Sequence, residues 1–126
     1  MKEVVAIVRM NMMNKTKKAL TEAGISSMTA KDVLGRGKGL VDMQVLKGAE
    51  QGYEEAIAQL GQSQRLIPKR AMLMVVNDDL VDKAVKTIIN TNRTGKSGDG
   101  MIFVLPCADA IRVRTGERGE DTLDDG

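Results

Sequence analysis

The sequence predicts an α+β fold in which a sheet packs against helices. Short runs rich in β-branched residues alternate with segments whose apolar positions recur at helical spacing. Strand, helix and strand signals occur in that order on each side of a long loop. This order, βαββαβ, is that of the ferredoxin-like sandwich. Because the chain has only 126 residues, we expect a single domain spanning residues 1–126.

The first half supplies two strands and a helix. Residues 2–10 are rich in valine and isoleucine, which favours a strand. Residues 15–23 carry apolar positions at helical spacing, and Gly24 follows as a stop signal. Residues 27–34 alternate enough to predict a second strand, which the glycine-rich run 35–39 ends.

The second half repeats this order and adds a short strand. Residues 70–76 predict a third strand. Residues 79–92 predict the clearest helix of the chain, because their apolar side chains form one continuous stripe. Residues 101–105 predict a fourth strand and residues 110–114 a short fifth strand.

The composition argues against nucleic-acid binding and membrane insertion. The formal net charge is +2, and Tyr53 and Phe103 are the two aromatic residues. A basic field or a stacking platform for single-stranded nucleic acid is therefore not expected. The sequence shows no signal peptide and no apolar run long enough to cross a bilayer. Since Cys107 is the single cysteine, no internal disulfide can form, and we expect a soluble protein of the reducing cytoplasm.

Histidine is absent from the sequence, which excludes several kinds of site. Ser-His-Asp and Cys-His catalysis both need an imidazole, and so do the usual zinc sites. A metal ion bound here would be a hard cation with oxygen ligands, above all those of a nucleotide. A nucleotide-using phosphotransferase or hydrolase remains an alternative, with Asp99 as its only candidate base.

A glycine-rich loop and an arginine pair near the C-terminus predict a site for a nucleotide polyphosphate. The backbone amides of Gly98, Asp99 and Gly100 can form a nest for phosphate oxygens. Arg112 and Arg114, at i and i+2 of an extended segment, project from the same face and can bind the same anion. The alternative is a glycine-rich hairpin followed by a solvated basic strand.

The same residues resemble the PII signal-transduction family, also called GlnB-like. Its C-terminal signature is similar to residues 94–104, TGKSGDGMIFV, and its closing stretch to residues 112–117, RVRTGE. Residues 1–8, MKEVVAIV, resemble its first strand. Further similarities occur in the family's order at Gly24-Ile25, Met28-Thr29, Gly48-Ala49-Glu50, Pro68-Lys69 and residues 78–82. The resemblance covers nearly the whole chain except about residues 51–66.

The resemblance implies the same fold, a trimer, and ligands in the clefts between subunits. It implies that Arg112 and Arg114 bind the phosphates of ATP or ADP, with Mg²⁺ bound through the nucleotide. The full nucleotide set is Thr29, Gly35, Arg36, Gly37, Gly98, Asp99, Gly100, Arg112 and Arg114. Met101 departs from the family, which has lysine there, so triphosphate binding is expected to be weaker or to use another base.

The resemblance also implies a 2-oxoglutarate site at Lys38, Gly39 and Lys69. Lys69 matches the family's lysine for this ligand, and a lysine suits a small dicarboxylate because it is a compact charge on a flexible stem. The family's glutamine before the Lys-Gly of the loop base is missing here, where the run is Gly37-Lys38-Gly39-Leu40. This departure puts the 2-oxoglutarate assignment in doubt, with Gln44 or another loop residue as a substitute.

Residues 36–68 correspond to the mobile effector loop of the family and exceed its common length. In this loop Tyr53, Ile57 and Leu60 lie at i, i+4 and i+7, which predicts a short amphipathic helix. Such a helix is not stable alone, so we expect it to fold against a partner. The alternative is a helix folded back on its own subunit. Residues 118–126 form an acidic C-terminal tail.

The length of the loop resembles that of the nitrogenase-regulating branch of the family. The absence of the tyrosine that is uridylylated in other members, replaced here by Gln51, resembles the same branch. That branch occurs in archaea and some anaerobic bacteria, where two paralogous subunits together inhibit dinitrogenase and are released by 2-oxoglutarate. This chain is more similar to the second paralogue. The resemblance implies a non-enzymatic nitrogen-status sensor, either a homotrimer or a hetero-oligomer with a paralogous PII subunit. The alternative is a regulator of an ammonium channel or of another nitrogen-assimilation enzyme.

Overall fold

The structure, a computed structural model, describes residues 1–37 and 66–123. The chain divides into two units, one formed by Met1–Val33 with Lys69–Gly126 and the other by Leu34–Pro68. Of the second unit, residues 34–37 and 66–68 are described. Within the described residues, four strands and two α-helices follow in the order strand, helix, strand, strand, helix, strand, which confirms the predicted α+β fold.

The elements begin and end close to the predicted positions. The first half contains β1 at Lys2–Arg9, α1 at Met13–Glu22 and β2 at Thr29–Gly35. The second half contains β3 at Ile67–Val76, α2 at Val81–Asn92 and β4 at Met101–Pro106. Short 3-10 turns precede the two helices at Met10–Met12 and Asp78–Leu80, and a third lies at Glu120–Thr122.

The strands form a sheet in the order β2-β3-β1-β4. Strand β1 pairs antiparallel with β3 on one side and with β4 on the other, so that Val4 lies opposite both Met74 and Val104. The split βαβ arrangement requires this order, because a strand of the second half lies between the two strands of the first.

The hydrophobic core lies between the sheet and the two helices. In β1 every second residue faces this core, as the alternation of its buried positions shows. Strand β3 and both helices contribute from their own periodic positions. The buried cluster consists of Val4, Ala6, Val8, Leu20, Ile25, Met72, Met74, Val76, Ala84 and Ile88.

The opposite face of the sheet carries apolar side chains that remain accessible. Val5 lies opposite Leu73 on one side and Phe103 on the other, and residues opposite one another in neighbouring strands share a face. Phe103 is 51% exposed and Leu105 is 42% exposed, both in the edge strand β4. A group of accessible apolar side chains at a sheet edge indicates an interaction surface.

The predicted fifth strand at residues 110–114 is wrong. Ile111 makes an isolated bridge to Arg118, and the chain turns between them. The Gly116 amide donates to the Arg112 carbonyl at 2.7 Å, and the φ of Gly116 is +75°. The alternating sequence is typical of a strand, but a glycine in the left-handed region closes the segment into a tight turn.

A buried polar contact joins the two helices. Thr16 in α1 is 0% exposed, and Asn92 at the end of α2 is 5% exposed. The Asn92 Nδ2 group donates to Thr16 Oγ1 at 3.0 Å and to the Ile88 carbonyl at 2.9 Å. Thr16 Oγ1 in turn donates to the Met12 carbonyl at 2.7 Å. Because buried polar groups cost free energy unless they are hydrogen-bonded, this contact favours one placement of α2 against α1.

We expect Thr16→Val to lower the free energy of unfolding by about 1–3 kcal/mol, because it keeps the branched shape but removes an acceptor from a buried amide. Thr21→Val is the matched control. Thr21 makes the same kind of bond, to the Lys17 carbonyl at 2.9 Å, but at an exposed position. Its effect should stay within about 0.5 kcal/mol. Urea unfolding at one protein concentration measures both, and equal effects would contradict a special role for the buried pair.

Candidate functional site

The first group of predicted residues lines an open groove of ≈ 840 Å³ beside the C-terminal segment. Thr29, Arg112 and Arg114 all lie in its lining, although they come from distant parts of the sequence. We call it the C-terminal groove. Its lining consists of Glu3, residues 26–29, residues 73–75, residues 110–114, Thr122 and Leu123.

Neighbouring groups hold Arg112 in this groove. Its Nη1 lies 3.2 Å from Glu117 Oε2, and its Nη2 donates to the Asp121 carbonyl at 3.4 Å. Arg114 lies in the exposed turn that follows. The sequence predicts that the two arginines project from one face of an extended segment, but in the structure they do not. The groove brings them together by a turn instead.

The second group of predicted residues lies in the segment 94–100, between α2 and β4, which we call the glycine loop. Its centre is the Asp99 carboxylate. Oδ2 accepts from the amides of Thr94 and Gly95 at 2.7 and 2.9 Å. Oδ1 accepts from the Thr94 hydroxyl and from Arg9 Nη1, the latter at 2.7 Å. The loop is thus closed around one acidic side chain.

These hydrogen bonds stabilise the charged form of Asp99. The Thr94 hydroxyl and then the Thr94 amide lower the pKa of Asp99 well below the usual range, Arg9 and Gly95 act in the same direction, and desolvation opposes them. A general base works best when its pKa lies near the operating pH. The environment of Asp99 is therefore the opposite of what the alternative enzyme hypothesis needs.

Two cations lie at this loop. Lys69 Nζ donates to the Gly98 carbonyl at 3.0 Å, and Arg9 Nη2 donates to the Ser97 carbonyl at 3.0 Å. Lys69 was predicted as a ligand-binding residue, but Arg9 was not. The strand register of the structure places Arg9 opposite Lys69, a relation that the sequence alone does not give. Like charges on directly opposed residues repel, so such a pair indicates a negative group or several carbonyl oxygens nearby.

The glycines of the loop are needed for its path. The φ angles of Gly98 and Gly100 are +97° and +116°, a region that other residues rarely adopt. A Cβ atom at Gly100 would lie 2.0 Å from the Ile7 carbonyl oxygen. The loop backbone therefore packs directly on the backbone of β1.

The glycine loop borders a second groove, of ≈ 480 Å³, with α2 and β1 on its other sides. Asp99, Gly100 and Met101 lie in its lining, and Met101 is 59% exposed. Among the described residues, the two grooves share no lining residue. Neither of these two grooves, as far as the described residues line them, contains both the arginine pair and the glycine loop.

The other predicted residues lie elsewhere. Gly35 ends β2, and Arg36 and Gly37 follow it at exposed positions in the unit Leu34–Pro68. Lys38, Gly39, Tyr53, Ile57 and Leu60 lie outside the described residues. In the part of the chain that the structure describes, no group of three or more acidic or cysteine residues could hold a metal ion. No helix in the same part is long and apolar enough to cross a membrane.

The chain is similar to known proteins over nearly its full length. The profile of the family described as "Nitrogen regulatory protein P-II" matches residues 1–117. The "Nitrogen fixation nifHD region GlnB-like protein 2" of Methanobacterium ivanovii is 44% identical over 98% of this chain and 99% of its own. The protein of the same name from Methanothermococcus thermolithotrophicus is 45% identical over 95% and 96%. The crystal structure of Arabidopsis thaliana PII bound to citrate has a TM-score of 0.72 and 36% identity, covering 97% of this chain and 88% of that one.

We expect Gly100→Ala to destabilise the chain more than Gly24→Ala. Both glycines have a positive φ, but a Cβ at Gly24 meets nothing within 4 Å. Gly24→Ala should therefore cost only the left-handed strain, about 1–2 kcal/mol. Gly100→Ala should cost about 1–3 kcal/mol more, because the new methyl group overpacks against the β1 backbone. Thermal unfolding of the two variants is the measurement, and an equal cost would refute the close approach.

Proposed function

Because this chain belongs to the nitrogen regulatory protein P-II family, we propose that it is a nitrogen-status sensor that binds ATP or ADP together with 2-oxoglutarate and regulates nitrogenase by direct contact. The observation that carries the nucleotide part is the grouping of Thr29, Arg112 and Arg114 in one groove. The names of the methanogen relatives, which refer to a nitrogen-fixation gene region, support the nitrogenase part.

In this proposal Arg112 and Arg114 bind the nucleotide phosphates, and the amides of residues 98–100 bind them from the other side. Thr29 contacts the adenosine end, as do Gly35, Arg36 and Gly37. A Mg²⁺ ion would be held mainly by the phosphates and water, since magnesium keeps several waters and uses few protein ligands. The guanidinium groups supply charge-assisted hydrogen bonds to phosphate, which are stronger than neutral ones.

We propose further that a second copy, or a paralogous subunit, completes the nucleotide site in a trimer. Two observations support this assembly. The C-terminal groove and the glycine-loop groove share no described lining residue. The sheet face around Phe103 is apolar and accessible, and Phe103 is 51% exposed. Burying that face against a neighbour would remove apolar surface from water. In the trimer that we propose, the arginines of one chain lie near the glycine loop of the next chain.

We expect Arg112→Ala and Arg114→Ala each to weaken ATP binding about ten- to hundredfold, the effect of losing one charged hydrogen-bond partner. Arg118→Ala is the matched control, because Arg118 forms an ion pair with Asp109 at 2.9 Å and is not in the groove lining. Isothermal titration calorimetry measures all three. Unchanged affinity in both groove variants would refute the nucleotide assignment.

For 2-oxoglutarate, we propose a site at Lys69 with Lys38 and Gly39. Lys69 Nζ already meets an oxygen atom, the Gly98 carbonyl at 3.0 Å, and Arg9 lies opposite Lys69 in the strand register. Two neighbouring cations suit a small dicarboxylate. The solved Arabidopsis PII structure has citrate bound, which supports carboxylate binding in the family.

We expect Lys69→Met to reduce 2-oxoglutarate binding at least about tenfold, the value of one charge-assisted hydrogen bond. Lys83→Met, at an exposed position in α2, is the control and should change nothing. Titrations with and without Mg-ATP should show that each ligand raises the affinity of the other by the same factor. If the unmodified chain binds no 2-oxoglutarate in either condition, the glutamine was essential and this part of the proposal fails.

For the partner, we propose that the loop residues Tyr53, Ile57 and Leu60 contact dinitrogenase, with the protein acting in the cytoplasm beside its paralogue. The sequence pattern supports this, since these apolar residues recur at helical spacing. A ligand can shift the loop between free and bound states only through its different affinity for them. An ammonium channel or another nitrogen-assimilation enzyme is the alternative partner.

We expect deletion of residues 52–63 to abolish inhibition of dinitrogenase while ATP affinity and thermal stability stay nearly unchanged, because shortening a loop changes closure entropy little. A variant in which the same residues are replaced by an equal length of Gly and Ser separates loop length from side chains. Acetylene reduction, with the paralogue present, measures inhibition. Normal inhibition by the deletion variant, or loss of folding, would contradict the proposed contact.

A further inference from the structure

We propose that Asp99 and Arg9 form a pair that fixes the shape of the glycine loop before any ligand binds, and that the Asp99 carboxylate makes no contact with the nucleotide. Asp99 is then a positioning residue, and Arg9 is its partner from the opposite end of the chain. This inference rests on the proposed nucleotide site and specifies how that site is kept ready for phosphate.

The hydrogen bonds of Asp99 occupy the acceptor positions of its carboxylate. An ionised carboxylate offers about four acceptor positions. Asp99 accepts four hydrogen bonds from described residues, namely the Thr94 amide, the Thr94 hydroxyl, the Gly95 amide and Arg9. All the good positions are therefore used within the protein. A ribose hydroxyl or a hydrated Mg²⁺ could reach this carboxylate only by displacing a donor.

Side chains from two strands attach the glycine loop to the sheet. Arg9, the last residue of β1, holds both the Asp99 carboxylate at 2.7 Å and the Ser97 carbonyl at 3.0 Å. Lys69 from β3 holds the Gly98 carbonyl at 3.0 Å. Gly100, the residue after Asp99, packs on the backbone of β1. Four consecutive loop residues are thus fixed to two adjacent strands.

The ion pair of Arg9 and Asp99 is partly shielded from solvent. The Arg9 and Asp99 side chains are 29% and 24% exposed, in contrast to fully solvated ion pairs, which contribute little. Removal of Asp99 would leave Arg9 without its carboxylate and would release the amides of Thr94 and Gly95 to water. The loop would then sample other conformations. A ligand that needs this loop shape binds more weakly when it must also order the loop.

Two variants test the pair, with a matched control. Asp99→Asn keeps the size of the side chain but removes the charge and places a donor where an acceptor is needed. Arg9→Met keeps the length of the side chain but removes the guanidinium. Asp32→Asn is the control, because Asp32 in β2 also pairs with an arginine, Arg70 in β3, at 2.6 Å. Each variant is measured in two ways: amide hydrogen exchange at Thr94 and Gly95 without ligand, and ATP affinity by calorimetry.

We expect Asp99→Asn to speed exchange of both amides about ten- to hundredfold, the effect of losing a hydrogen bond to a charged acceptor. ATP affinity should fall at least about tenfold by the same reasoning. Arg9→Met should act in the same direction with a smaller change in exchange, and it decides the matter if Asp99→Asn does not fold. Asp32→Asn should change neither quantity.

Other outcomes overturn the inference. Weaker ATP binding with unchanged exchange in Asp99→Asn would mean that the carboxylate contacts the ligand. Faster exchange with unchanged affinity would mean that the loop shape does not matter for binding. If the unmodified chain binds no ATP, the proposed nucleotide function fails, whereas the exchange rates still decide whether the pair fixes the loop.

Discussion

The pairing of β1 with neighbours on both sides is the constraint on which the rest of the structure depends. It places Val4 between Met74 and Val104 and so builds the sheet from its centre. The same register sends alternate side chains of β1 into the core and the others to the opposite face. A shift of one residue would exchange these faces. It would also move Arg9 away from Lys69 and from the glycine loop.

The fold and the candidate site therefore share one scaffold. Strand β1 provides a core residue at Val8, a backbone oxygen at Ile7 against which Gly100 packs, and a guanidinium at Arg9. Three consecutive residues thus contribute to the core, to the path of the glycine loop and to the charge that binds this loop. Sites held by strands are positioned more precisely than sites held by loops alone. Under the proposed function, a mutation in this short segment would affect stability and ligand binding together.

The elements of regular structure could be predicted because their signals are local. The strand at β1 and the helix at α2 follow from residue periods of 2 and 3.6, which need no knowledge of the partner element. The prediction of a fifth strand was wrong, and the reason is local too. Residues 110–114 have an alternating pattern, but the positive φ of Gly116 turns the chain back on itself.

The arrangement of the candidate site did not follow from the sequence. The motifs pointed to Asp99, Gly100 and Arg112 as parts of one site, but the structure places Arg112 in one groove and Asp99 and Gly100 in another. Arg9 was missed because its contact with Asp99 joins residues far apart in the sequence. Such contacts arise from strand order, which becomes known only when the whole sheet is assembled. All the ligand and partner roles that the resemblance assigns to residues of this chain stay predictions.

The separation of the two grooves has a consequence for how the protein would report a signal. Under the proposed assembly, each nucleotide site takes its arginines from one chain and its glycine loop from another. Occupancy then depends on the concentration of the protein as well as that of the ligand, because dilution that separates the chains also divides every site. In a mixed assembly with a paralogue, the clefts would be chemically unequal. Such a sensor can respond in graded steps to a single metabolite, although all the copies of this chain in it have the same sequence.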